Sequence, residues 1–367
     1  MQTKNTGFRS DINGLRAIAV IAVVLYHFGV KGFSGGFAGV DIFFVISGFL
    51  MTGIIFRQTD SGKFSLTGFY LARAKRIIPA LAFLCLSLLV AGWFVLIPSE
   101  YKELGKHAAT SIGFLSNFAY WREAGYFDTA SHGKWLLHTW SLSVEWQFYI
   151  VYPLIILATR KLFGASMTKM LLVIGALVSF ALCMYMSNRS PSAAFYLLPT
   201  RAWEMLAGGI VFLFPMQLKD TNKKVASTFG LVLIALSILM LDASDVWPGW
   251  LALIPVAGTA LLILAADQTS VVTNNKLSAS IGKASYSIYL WHWPLVVLLG
   301  YYGVSDSAAA IAAGIAASIL LGYASLYFVE TPSQKLNIKT AQCSGQLIPD
   351  TTLSFSSARA GASPPLN

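Results

Sequence analysis

Arg16 and His27 stand eleven positions apart in an otherwise apolar stretch, NGLRAIAVIAVVLYHF, at residues 13–28. Eleven residues is close to three helical turns. On a helix both side chains therefore project from one face, roughly 16 Å apart along the axis. A guanidinium holds anions, and an imidazole moves protons near neutral pH. An ionisable group within lipid is costly, so such groups are functional candidates by default. The plainer reading has Arg16 snorkelling to the headgroups and His27 bonding a neighbouring carbonyl at the interface. Taken alone, this pair leaves both readings open.

Five further groups bear on the choice. The stretch after the first run carries Gly36, Gly39, Asp41, Ser47 and Gly48. In HTWSLSVEWQFY, at residues 138–149, His138 and Glu145 lie seven apart and share a face if both are helical. A capping role explains Glu145 alone but not the His, Gln and Tyr beside it. Arg73 and Arg76 in RAKRIIP are adjacent on a helix surface. They read as a positive-inside anchor or as a clamp for phosphates, to which Arg forks are suited. Arg201 and Glu204 in RAWE suit an i, i+3 intramembrane pair, with substrate contact as the second reading. In YSIYLWHWP, Pro294 is expected to free a carbonyl near His292, which reads equally as a satisfied core residue or a functional one.

The elements that must position these residues follow from composition. The chain has 367 residues, 56% hydrophobic and 11% charged, against about 25% charged in a soluble domain. This implies an integral membrane protein and argues against a nucleic-acid binder, despite a net charge of +10. Ten segments are long enough to be candidates for crossing about 30 Å of hydrocarbon. They are 15–28, 37–56, 77–97, 142–158, 170–187, 197–214, 225–241, 249–266, 286–302 and 308–329. The segment 108–120 is shorter and more polar and reads as an interfacial or re-entrant helix. With the N-terminus inside and each span crossing once, most of the 26 Lys and Arg residues fall on the cytoplasmic loops. The expectation is an all-α polytopic membrane helix bundle of about ten transmembrane helices, with both termini cytoplasmic. Residues 1–336 form its transmembrane domain, and 337–367, rich in Ser, Ala, Gly and Pro, form a disordered tail. The outer loop 98–140 mixes charges with Trp and Tyr, which suits either a headgroup belt or the wall of a sugar site. Cys85, Cys183 and Cys343 read as small core residues, and no metal site is expected.

These blocks, in this order, resemble the membrane acyltransferase-3 family. The matching runs are GLR with His27, GGFAGVDIFFVISGFL, RAKRIIP, HTWSLSVE, RAWE, YLWH and FVETP, and the resemblance covers about residues 8–336. It implies a bundle of about ten helices in the cell inner membrane and transfer of an acyl group, usually acetyl from cytoplasmic acetyl-coenzyme A. The acceptor it implies is a hydroxyl of a lipid-linked or surface glycan: lipopolysaccharide O-antigen, exopolysaccharide or peptidoglycan. By that resemblance Arg16 and His27 form the core of the reaction, Arg73 and Arg76 face the donor, and Glu145 belongs to the acceptor side. Acyl transfer needs a base, an oxyanion stabiliser and a leaving thiolate. His27 is then the expected base or acyl carrier, Arg16 orients the thioester or neutralises the oxyanion, and Glu145 fixes the imidazole tautomer or binds the acceptor. Asp41, Ser47, His138, Arg201, Glu204 and His292 are acceptor-side or structural candidates. The chain departs from the family pattern at Asn13, where Asp is frequent, and at Ser333 and Gln334, where a basic residue is common. Relatives often continue into an SGNH-type hydrolase domain, for which this sequence shows no match, so a separate partner of that type is an expectation. The rival readings are a transporter or flippase of acyl groups or glycans, and a truncated, non-catalytic component.

Overall fold

An apolar run without Gly or Pro between residues 15 and 28 propagates a helix through lipid, and α1 (Ser10–His27) takes that course. It starts five residues before the expected span because Asp11 lies in its first turn, ion-paired with Arg9 at 2.6 Å. The structure is a computed structural model that describes residues 9–124 and 133–335. The expected tail 337–367, with Cys343, lies outside those residues, as does 125–132 of the outer loop. The described residues fall within one unit, residues 1–335.

A 3-10 turn, Gly36–Ala38, feeds α2 (Gly39–Asp60) back alongside α1. Helix α3 (Leu66–Val95) begins earlier than residue 77 because Ser65 caps it, accepting from the Gly68 N–H at 3.2 Å. Arg73, Lys75 and Arg76, which the sequence reading put before the span that starts at residue 77, are therefore part of the same helix, with Arg73 and Arg76 on its surface one turn apart. The polar segment expected to be interfacial becomes two short helices, α4 (Pro98–Ile112) and α5 (Ser116–Glu123). Helix α6 (Thr139–Arg189) runs 51 residues, broken once at Gly164. Its φ of 80° lies in the left-handed region that favours glycine. After α7 (Pro191–Tyr196) come α8 (Leu198–Leu213), α9 (Asp220–Met240), α10 (Leu253–Ala265), α11 (Lys276–Tyr301) and α12 (Ala308–Ser325). A π-helical turn, Leu326–Glu330, leads to α13 (Thr331–Lys335).

The fold is all-helical among the described residues, and each of the ten expected segments falls largely on helix. By length and composition, however, six helices can cross a membrane: α1, α2, α3, α6, α9 and α12 with its extension. Two expected spans are joined in α6. At 16 and 13 residues, α8 and α10 are about 24 and 20 Å long, short of about 30 Å of hydrocarbon. Helix α11 is long enough, but its Lys, Ser and His residues dilute its apolar character. Side chains such as Trp93 and Phe94 on α3, and Leu177 and Val178 on α6, point outward from the bundle. This apolar exterior and the six long helices are those of a multi-pass membrane protein.

Backbone-to-backbone approach at glycines sets the centre. A Cβ at Gly282 of α11 would lie 1.9 Å from the Asn13 carbonyl oxygen of α1. One at Gly208 of α8 would lie 1.9 Å from the Val45 carbonyl of α2. Small residues let membrane helices cross this closely. Helix α1 is thereby held against α11, and α2 against α8, with the polar side chains of α1 and α2 facing inward.

Candidate active site

Three cavities run along the inner face of α1, and neighbouring ones share lining residues. The first, about 760 Å³, lies beside the start of α1 and is basic: Arg16, Arg73, Lys75, Arg76 and Lys283 line it, with Glu330. The π-helical turn after α12 delivers Glu330, which accepts from Ser287 Oγ at 3.0 Å and Gln334 Nε2 at 3.2 Å. The second is a waist of about 80 Å³, lined by Arg16, Arg73 and Arg76 again, together with Ser47, Glu145 and Tyr149. The third, about 630 Å³, lies at the end of α1 and is lined by His27, His138 and aromatic rings including Trp140, Tyr196 and Trp293, with Arg201, Asp242 and Asp245 also on its wall. Val40 and Tyr289 line both the waist and this third chamber.

The basic end suits an anion. Arg16 Nε donates to Ser285 Oγ at 3.1 Å, which aims its guanidinium across α11. The Arg73 Nε is buried without a hydrogen-bond partner among the described residues. Three guanidiniums face one carboxylate in the waist, Glu145. That carboxylate accepts from Tyr149 Oη at 2.5 Å and from Ser47 Oγ. The Tyr149 bond is an i, i+4 contact along α6, and Ser47 brings in α2. Ser285, one Ser among several in α11, carried no signal of its own in the sequence, and Glu330 was marked only as part of the FVETP run, with no role attached.

At the other end, His27 Nδ1 lies 2.9 Å from His292 Nε2, with the rings stacked at 5.1 Å. His292 Nδ1 lies 2.6 Å from the Tyr289 carbonyl oxygen. Trp293 meets the His27 ring edge-on at 4.8 Å, and its Nε1 donates to the Lys134 carbonyl at 2.8 Å. His138 is 3% exposed, and neither ring nitrogen has a hydrogen-bond partner among the described residues, although it faces the Leu290 main chain. Pro294 has no N–H to give the Leu290 carbonyl, so the expected break in the ladder lies here. The Tyr289 hydroxyl donates to the His138 carbonyl at 3.0 Å and sits 2.8 Å from Ser141 Oγ, tying α11 to the entry of α6.

Glu145 is not beside His27. The sequence reading gave it the acceptor side or the imidazole tautomer, and the structure puts it in the waist with Arg16. Seven residues of helix, about 10 Å, carry it from His138 to the next chamber. Arg16 and His27 also line different cavities, so one thioester carbonyl does not meet both. Arg201 forms its expected pair with Glu204 at 3.2 Å and a second with Asp41 at 3.2 Å. All three are 1% exposed or less, with the guanidinium over the Phe44 and Trp140 rings at 5.5 and 5.8 Å. This group clamps α8 to α2. Among the described residues no set of three or more His, Cys, Asp or Glu is grouped to hold a metal ion. Cys85 and Cys183 are buried free thiols.

Outside the cavities, Glu123 of α5 joins Lys106 at 2.6 Å, His107 at 3.0 Å and Lys134 at 3.4 Å. Burial opposes its ionisation, but the Lys106 and His107 contacts win and hold its carboxyl below the usual range. Burial pushes the His107 imidazole down, against the pull of Glu123.

The profile of a family described as an acyltransferase domain matches residues 9–327. A putative O-acetyltransferase of Staphylococcus aureus (strain MRSA252) is 32% identical, over 94% of this chain and 60% of its own length. The peptidoglycan O-acetyltransferase OatA of Listeria monocytogenes is 31% identical, over 89% of this chain and 56% of its own. The O-acetyltransferase OatA of S. aureus (strain NCTC 8325) is 31% identical, over 89% and 57% respectively. The chain thus spans somewhat under two thirds of the length of these curated relatives. No solved structure matches it.

Proposed function

The chain belongs to the acyltransferase domain family, and on that premise we propose that it moves an acetyl group from cytoplasmic acetyl-coenzyme A to a hydroxyl of a cell-wall polysaccharide across the membrane. The observation that carries this reading is the chain of three cavities with unlike ends: three arginines and two lysines against Glu330 at one, and at the other imidazoles and aromatic rings, where the lining arginine, Arg201, is already paired with Asp41 and Glu204.

The basic vestibule is where the phosphates of the donor bind, and Arg73 and Arg76 are their clamps. Guanidinium forks match phosphate oxygens bidentately, and the buried Arg73 Nε, without a hydrogen-bond partner among the described residues, is available to a ligand. Arg16 steers the slender thioester arm into the waist beside Glu145 and Ser47. In the third chamber His27 takes the proton of the acceptor hydroxyl. The hydroxyl oxygen bonds to the acetyl carbon, the carbon–sulfur bond breaks, and the leaving thiolate collects the proton from the imidazolium. Trp140, Tyr196 and Trp293 offer flat apolar faces for a sugar ring.

The basic cavity faces the cytoplasm in this reading, which puts the N-terminus inside and the protein in the cytoplasmic membrane. An SGNH-type partner that takes the acetyl group onward is a compatible addition, testable by co-expression. The function is tested with purified protein, labelled acetyl-coenzyme A and cell-wall glycan fragments. Label on the glycan, lost by at least about 100-fold in His27→Ala, supports the proposal. Equal labelling by that variant removes it.

A further inference from the structure

His292 is fully buried, at 0% exposure, and does not line the third chamber, whereas His27 does. A substrate in that chamber meets His27 and not His292. His292 nonetheless makes the close nitrogen-to-nitrogen contact with His27, at 2.9 Å. The proton positions follow from its other nitrogen. Nδ1 of His292 lies 2.6 Å from the Tyr289 carbonyl oxygen, which can only accept, so Nδ1 carries the hydrogen. In a neutral imidazole the second nitrogen then holds the lone pair. His292 Nε2 is thus an acceptor, and the hydrogen between the rings sits on His27 Nδ1. The lone pair of neutral His27 is then on Nε2.

We propose that His292 is a positioning residue for His27: anchored on the Tyr289 carbonyl, it selects the His27 tautomer whose Nε2 is the base. The hydrogen bond does a second thing. When His27 Nε2 takes the hydroxyl proton, the ring becomes a cation, and its Nδ1–H bond to His292 becomes charge-assisted and stronger. No proton passes to His292, whose Nδ1–H stays on the Tyr289 carbonyl. A carbonyl, a histidine and a base in sequence take the part that a carboxylate takes in a Ser-His-Asp triad. Glu145, lying in the waist, is not needed for it. The anchor is local to one helix turn, from residue 289 to residue 292, so the ring orientation is built into α11.

The inference rests on His27 being the base, and its test separates the two. His292→Phe keeps an aromatic ring but no acceptor. His292→Gln keeps an acceptor oxygen that can receive the His27 Nδ1–H. The account expects His292→Phe to lower kcat at least about tenfold. It also expects unchanged KM for acetyl-coenzyme A and recovery of most of kcat in His292→Gln. Thermal unfolding in detergent is measured on both variants. A kcat loss in His292→Phe with Tm held, reversed by Gln, supports positioning. Loss in both variants that follows a fall in Tm makes His292 a packing residue and overturns the inference. If His292→Phe keeps full kcat while His27→Ala is inactive, the inference fails and His27 remains the base. If His27→Ala is itself active, the reading of the function fails with it.

Discussion

His27 and Arg16 were legible as a pair because helical periodicity alone puts positions 16 and 27 on one face. What the pair does was not legible, because each takes its meaning from α11: Arg16 from Ser285, His27 from His292. Those partners lie more than 260 residues away, and no local pattern connects them. Arg201 and Glu204 were legible as a pair at i, i+3, but Asp41, which shares the same guanidinium, was not. This group supports the strongest residue-level prediction on stability. Arg201→Ala leaves two buried carboxyls without their cation, and breaking one partner of such a pair costs about 3–5 kcal/mol. The variant is expected to show a clearly lower Tm in detergent and poor recovery from the membrane, whatever its effect on transfer. At the basic end, if the proposed donor binds there, replacing Arg73 and Arg76 together by Ala is expected to raise KM for acetyl-coenzyme A at least about tenfold, the loss of one charge-assisted contact or more. Initial rates against donor concentration measure this, and an unchanged KM would return both residues to a topological role.

At the scale of elements, composition indicated helices nearly everywhere they occur, and their ends were the poorer part. Ser65 extends α3 backward by more than two turns and makes the basic run before residue 77 a helical wall of the vestibule, continuous with the span. The glycines were visible in the sequence, but their use as crossing points was not, since a close approach is a property of two helices. Gly282 tests that use. Its Cβ would collide with the Asn13 carbonyl, so Gly282→Val is expected to push α11 from α1 and cost about 1–3 kcal/mol by overpacking. Because both Arg16 and His27 are set from α11, activity should fall more than stability does. The outer helices carry a pH prediction. Glu123 is held below its usual range by Lys106 and His107, so its stabilisation is present above the ordinary carboxyl pKa of 4.5 and lost as pH falls through its lowered value. Unfolding of the wild type below about pH 4.5 should steepen, and Glu123→Gln should flatten that limb while lowering Tm at neutral pH.

Across the whole molecule, the unlike ends of the cavity chain matter more than any one residue. A uniformly basic tunnel would suit an anion passing through it. Here a cluster of basic side chains gives way, within the length of α1, to a chamber of imidazoles and aromatic rings in which Arg201 is balanced by carboxylates. That arrangement suits a donor held at one face and an acceptor at the other, with only the acyl group changing sides. The bias of Lys and Arg over the loops was what the sequence offered towards an orientation, because it is a sum over many residues. The narrow waist was not visible, because Ser47, Glu145, Tyr149 and the three arginines reach it from four separate helices.

The most direct test uses sealed proteoliposomes with the protein in one orientation, as judged by protease access to the loops. Labelled acetyl-coenzyme A is supplied only on the side of Arg73 and Arg76, with glycan fragments only on the side of His27. The account predicts label on the glycan with wild-type protein, none when the two solutions are exchanged, and none with His27→Ala. Equal labelling in both arrangements, or with His27→Ala, would contradict it.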